Sequence, residues 1–171
     1  MIADGGDKVI IVDDSLVPLL AKVKDDLGSV EHIIVVGDGD ASALGRDVLR
    51  YDDLIADATP GFDWPELDEK QAAAMCYTSG TTGNPKGVVY HHRGAHLLAQ
   101  GNIITASMPR HPVYLWTLPM FHCNGWCFPW SISVVAGTHV CLRAVRSAAM
   151  YDAMASHNVT HLCGAPIVMA T

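Results

Sequence analysis

Two β-branched runs with a helical spacing between them constrain this chain more than any other feature. Residues 8–12 read KVIIV and residues 32–37 read HIIVVG, the composition of short strands. Between them Leu16, Leu19, Leu20, Val23 and Leu27 recur at helical spacing, with Asp14 or Ser15 placed to cap the start and Gly28 to end it. A strand, a helix and a strand in that order predict a parallel pair, because parallel strands need a crossover connection rather than a tight turn.

The same order returns near the other end, where THVCLR, SAAMYDAMASHN and VTHLCG follow one another. Residues 46–57, RDVLRYDDLIAD, predict a second amphipathic helix. TPGFDWPELDEKQ at 59–71 reads as a surface connecting segment, with Pro60, Gly61 and Pro65 among acidic residues. RGAHLLAQGNIITAS predicts a helix, PVYLWTLP a strand, and NGWCFPWSISVVAG an apolar helix interrupted by Pro129. The expected class is α/β, built from β-α-β units with a largely parallel sheet.

Charge narrows the function. Eleven Lys and Arg against 18 Asp and Glu leave a formal charge of −7, which argues against nucleic acid or an anionic membrane as partner. No apolar run approaches the roughly 18 to 20 residues of a spanning helix, so no membrane span is expected. MIADGGDKV lacks the basic region and hydrophobic stretch of a signal peptide, and the expected compartment is the cytoplasm. Five cysteines, Cys76, Cys123, Cys127, Cys141 and Cys163, form no CxxC pair; buried free thiols are the expectation.

The chemistry concentrates in YTSGTTGNPKGVVYHH, residues 77–92. Thr78, Ser79, Thr81 and Thr82 supply hydroxyls, Gly80, Gly83 and Gly87 free the backbone, and Lys86 is the one formal charge. Apolar AAAMCY runs in and GVVYHH runs out, so the loop joins two strands. A Walker loop would set Gly-Lys-Ser/Thr at a helix start, whereas Lys86 here follows GNP and precedes a strand-like run. The residues still suit an anion, because successive amides at glycines form a concave nest and hydroxyls add donors. The alternative is a polar hairpin turn, although a turn needs neither the lysine nor four hydroxyls.

In its full order, YTSGTTGNPKGVVYHHR resembles the phosphate-binding signature of the adenylate-forming superfamily, which includes acyl-CoA synthetases, firefly luciferase and nonribosomal peptide adenylation domains. The resemblance implies that residues 1–171 are a fragment of the large N-terminal AMP-binding domain. It also implies that Thr78, Ser79, Gly80, Thr81, Thr82, Gly83 and Lys86 hold the β- and γ-phosphates of ATP, with Thr78 a ligand of Mg2+. Lys86 would be the phosphate-positioning residue of the reaction. Relatives activate a carboxylic acid as acyl-AMP, release pyrophosphate, and in many cases pass the acyl group to coenzyme A.

A second segment, LPMFHCNGWCFPW at 118–130, sets aromatics around an Asn-Gly pair. Read alone it is equally a piece of core. Its place about 35 residues after the loop resembles the acyl-site segment of medium- and long-chain fatty acyl-CoA synthetases. That implies an acyl pocket lined by His122 and Cys123, with Trp126 as gate. Adjacent His91 and His92 would face opposite sides of a strand and share no metal.

The superfamily's adenine and ribose segments and its C-terminal domain with a catalytic lysine have no counterpart in these residues. The expectation is therefore part of a fatty acid–CoA ligase, inactive by itself, with fatty acid, ATP and coenzyme A as partners. Homodimers, frequent in the family, remain open. The alternatives are an aryl-CoA ligase, an amino-acid adenylation fragment, or a non-catalytic module that binds nucleotide or acyl groups.

Overall fold

The computed structural model describes residues 1–78 and 83–170, which fall into two compact units, Met1–Pro65 and one beginning at Glu66. After a short turn of helix, α1 (Ile2–Gly5), the first unit holds β1 (Val9–Asp13) and β2 (His32–Val36), paired in parallel from Val9 opposite His32 to Asp13 opposite Val36. A two-residue strand, β3 (Leu49–Arg50), pairs in parallel with the other edge of β2. The buried side chains Val12, Val17, Leu27, Val30, Ile33, Val35 and Leu44 form its core.

The predicted helix between β1 and β2 is not one helix. It is a 3-10 turn (Asp14–Leu16), α2 (Val17–Leu20), and a second 3-10 stretch (Ala21–Asp26) broken at Val23, whose φ of −119° is not helical. The Asp13 carboxylate, not Asp14 or Ser15, accepts the Ser15 amide at 3.2 Å. Leu16, Leu19 and Val23 are largely exposed, so the apolar stripe buries too little to reward a continuous helix.

The expected helix over 46–57 begins late. Leu49 and Arg50 pair with Ile34 and Val35, and only α3 (Tyr51–Ala56) is helical. The Arg50 guanidinium donates to the carbonyls of Gly37 and Gly39 at 2.8 and 3.0 Å, which ties the extended residue to the loop after β2. Residues 59–71 carry no helix or strand.

In the second unit β4 (Ala72–Tyr77) and β5 (Gly87–His91) form an antiparallel pair. Then come α4 (His92–Thr105), β6 (Val113–Trp116), the four-residue turn α5 (Cys123–Trp126), and α6 (Phe128–Val134). β7 (Thr138–Cys141), α7 (Ser147–His157), β8 (His161–Leu162) and α8 (Pro166–Met169) complete it. β6 runs parallel between β7 and β8. The expected α/β class with parallel pairing is thus borne out in two parallel sheets, together with one antiparallel pair. Pro129 starts α6 instead of interrupting it, as its missing N–H costs nothing in a first turn.

Side chains alternate across β6. Tyr114 and Trp116 pack with Met108, Phe128 and Ile132 on one face, and Leu115 packs with Val140, Met150 and Ala153 on the other. Each large apolar side chain so buried contributes about 1.5–3 kcal/mol. The thiols do not follow the expectation of burial: Cys127 is buried, Cys76 and Cys163 are half-buried, and Cys123 and Cys141 are exposed.

Candidate functional site

The β4–β5 ladder continues one step beyond Tyr77 and closes the neck of the glycine-threonine loop. The Thr78 amide donates to the Lys86 carbonyl at 3.0 Å, and the Lys86 amide donates to Thr78 Oγ1 at 3.1 Å. Thr78, Gly83 and Lys86 are exposed there. Ser79, Gly80, Thr81 and Thr82 lie outside the described residues.

With one lone pair of Thr78 Oγ1 engaged by Lys86, the hydroxyl keeps a proton and a second lone pair. It can donate to a phosphate or offer one neutral oxygen to a cation. Magnesium takes six oxygens and keeps most of them as water and substrate phosphate. No group of three His, Cys, Asp or Glu among the described residues forms an ion site. One neutral hydroxyl oxygen of Thr78 is compatible with a place among magnesium's oxygen ligands.

Beside this neck lies a cavity of about 810 Å3. Cys76, Tyr77 and Thr78 line it from the end of β4, and Val88 and Tyr90 from β5. Gly94, Ala95 and Leu98 contribute one face of α4, and Phe121, His122, Cys123, Trp126 and Cys127 close the far side. The three residues assigned to an acyl pocket by resemblance, His122, Cys123 and Trp126, thus share one cavity with Thr78. Lys86 is not among its lining residues.

The sequence reading missed Cys76, Tyr90 and Cys127. The signal was present: in the hairpin Cys76 stands opposite Val88 and Ala74 opposite Tyr90, and residues two apart share a face. His91 and His92 do not alternate on a strand as expected. His91 ends β5, and its Nδ1 accepts the Gly94 amide at 2.8 Å as the cap of α4, while His92 is the first helical residue. A Cβ on Gly94 would approach that imidazole to 3.0 Å, so glycine permits the cap.

The wall formed by residues 123–127 is unusual. Cys123, Asn124, Gly125, Trp126 and Cys127 all have positive φ, between 44° and 63°, a left-handed turn where a right-handed helix would be ordinary. Each non-glycine residue so placed costs about 1–2 kcal/mol. Contacts from neighbouring elements hold it. Asn102 Nδ2 of α4 donates to the Trp126 carbonyl at 2.7 Å. The Cys76 thiol donates to Asn124 Oδ1 at 2.9 Å. Gly125 seats its bare Cα against Trp116, whose ring a Cβ would meet at 3.0 Å. Trp116 is itself fixed, its indole N–H donating to His139 Nδ1 at 2.9 Å. The outcome sets the His122 and Trp126 rings edge to face at 6.2 Å.

The cavity is apolar and electrically quiet. Burial, reinforced by the thiols of Cys76, Cys127 and Cys123, pushes the Tyr90 phenol up to about 12. Burial likewise raises the Cys127 thiol, followed by the effect of Cys76 and Cys123. Such groups stay neutral near pH 7, which suits an uncharged, apolar occupant. A second hollow of about 450 Å3 lies at the carboxyl ends of β6 and β7, between residues 116–120 and 141–145.

Comparison with known proteins gives the class. The family model of AMP-binding enzymes matches residues 1–171, and the chain belongs to that family. It is 49% identical over 144 residues to the peroxisomal acetate/butyrate–CoA ligase of Arabidopsis thaliana, covering 80% of this chain and 25% of the relative. It is 42% identical over 146 residues to an acetate–CoA ligase of Humulus lupulus, covering 81% and 26%. The chain thus spans about a quarter of these curated relatives. Among solved structures, an anthranilate–CoA ligase in complex with anthranoyl-AMP superposes with a TM-score of 0.83 at 24% identity, covering 99% of this chain and 33% of that one. ATP-bound MatB from Rhodopseudomonas palustris superposes with 0.75, also at 24% identity, covering 98% and 31%. These show a shared fold.

Proposed function

We propose that this chain is part of an ATP-dependent acid–CoA ligase, which joins a fatty acid to AMP and passes the acyl group to coenzyme A. The observation that carries the reading is the shared cavity: Thr78, at the neck of the phosphate-type loop, and the His122–Trp126 wall line the same space. A carboxylate at the Thr78 end would lie beside the nucleotide phosphates while its alkyl chain filled the apolar remainder.

In the first half-reaction a carboxylate oxygen attacks the α-phosphorus of ATP and pyrophosphate leaves. In the second the coenzyme A thiol attacks the acyl carbonyl and AMP leaves. Lys86 and the hydroxyls of Thr78, Ser79, Thr81 and Thr82, with the amides at Gly80 and Gly83, would hold the pyrophosphate portion. Such positioning and charge stabilisation supply most of the catalysis in phosphoryl-type transfers. Magnesium, when bound, neutralises phosphate charge, and Thr78 Oγ1 would be one of its ligands. Tyr90, kept neutral, and the thiols exclude water from the alkyl end without offering it a charge.

Within fatty acids, the curated relatives support a short chain, since they are named for acetate and butyrate. The FHCNGWC segment supports a longer one by resemblance to medium- and long-chain enzymes. Calorimetry on the chain with ATP and with straight-chain acids from acetate to decanoate decides between them. Each buried methylene should strengthen binding by about fourfold until the cavity is full. Lys86→Ala should weaken ATP binding by at least about tenfold, the loss of a charge-assisted contact, and leave acid binding unchanged. Binding of neither ATP nor acid to the unaltered chain would refute the reading.

Turnover is proposed for the whole protein, and the chain by itself is expected to form no acyl-CoA from ATP, acid and coenzyme A. The cytoplasmic placement stands beside a peroxisomal one, because the Arabidopsis relative is named peroxisomal; cell fractionation separates them.

A further inference from the structure

We infer that Asn102 is a positioning residue of the acyl cavity, acting through the left-handed turn 123–127 and touching no substrate itself. The inference rests on reading the cavity as the acyl site. Asn102 sits half-buried on α4, on the helix that also supplies Gly94, Ala95 and Leu98 to the cavity. Its Nδ2 donates to the Trp126 carbonyl at 2.7 Å and lies 3.4 Å from Ser131 Oγ. Ser131, fully buried in α6, donates onward between the Ala99 and Cys127 carbonyls at 3.0 and 3.1 Å. One amide thus ties α4 to both the end of the turn and the middle of the next helix.

The turn needs such a tie. Positive φ at five successive residues, four of them not glycine, is disfavoured unless the surroundings over-determine it. Of the contacts that hold it, the Cys76 thiol is a weak donor and Gly125 supplies only room. Asn102 places a strong donor on the Trp126 carbonyl, and Ser131, which lies beside the same amide, places one on the Cys127 carbonyl. Released, residues 123–127 would relax toward right-handed geometry, carrying the Trp126 ring and the Cys123 and Cys127 side chains away from their places in the wall. The volume that limits the acyl chain would change with no lining residue replaced.

Asn102→Asp and Asn102→Ala test this on the 171-residue chain, with Gln100→Ala, an exposed position on the same helix, as the control. Asn102→Asp keeps the size and replaces the amide donor by an acceptor-only carboxylate. The first readout is the rate of thiol alkylation by an uncharged maleimide, resolved by peptide mass spectrometry. Cys127 should react about two- to tenfold faster in both Asn102 variants, as expected for local opening after loss of one hydrogen bond, and unchanged in the control. The second is calorimetry with acids from acetate to decanoate, where the variants should lose the chain-length limit shown by the unaltered chain.

Folded Asn102 variants with unaltered Cys127 rates and an unaltered chain-length profile would overturn the inference. Should the variants fail to fold, hydrogen exchange of the Asn102 side-chain amide in the unaltered chain decides. Slow exchange supports the tie to Trp126, and exchange as fast as a free asparagine refutes it. An unaltered chain that binds no acid would refute the acyl reading of the cavity, while the alkylation and exchange readouts would still judge the role of Asn102.

Discussion

Tyr90 shows how one side chain reports on the cavity. Its folded state holds the phenolic proton to about 12, above the ordinary value near 10. The folded chain therefore binds more protons than the unfolded one in that interval. This contribution to stability is whole below about pH 10 and is lost as the pH rises toward about 12. Cys127, raised by burial, acts in the same direction. Urea unfolding across this range should show stability falling with pH, and Tyr90→Phe should flatten the fall. A fall of equal slope in both proteins would place the effect elsewhere, with Tyr114, whose buried phenol is also raised, as the next residue to change.

At the scale of elements, two glycines separate local propensity from tertiary demand. Gly101 lies inside α4 with open space around the position of a Cβ, so Gly101→Ala should stabilise the chain by about 0.4–1 kcal/mol. Gly125 has a φ of +59°, and the Trp116 ring lies 3.0 Å from where its Cβ would be. Gly125→Ala should destabilise by about 1–3 kcal/mol. Chemical denaturation of the two variants checks both signs. The difference explains why some elements were legible in the sequence and others were not. α4, β6 and α7 form where composition and the order of segments predicted a helix, a strand and a helix. The left-handed turn has no pattern of its own, since Asn-Gly announces a turn but not its hand over five residues.

For the whole molecule, the chain boundary between the compact units Met1–Pro65 and Glu66 onward falls within the segment 59–71, which has neither helix nor strand and exposes Phe62 and Trp64. Limited chymotrypsin digestion should cut first after Phe62. Trp64, though more exposed, precedes Pro65 and is protected by that imide bond. A first cut inside β6 or α4 would contradict this division.

The sequence by itself determined the strand-helix alternation, the two strands that bracket the glycine-threonine loop, and membership of a nucleotide-handling family, because periodicity and motif order are local properties. Only the tertiary structure decided that Cys76, Tyr90 and Trp126 share a cavity with Thr78, and that Asn102, 24 residues before Trp126, holds its backbone. Those relations come from packing α4 against α6 through Ala99 and Ser131, and close contacts between distant residues have no periodic trace in the chain.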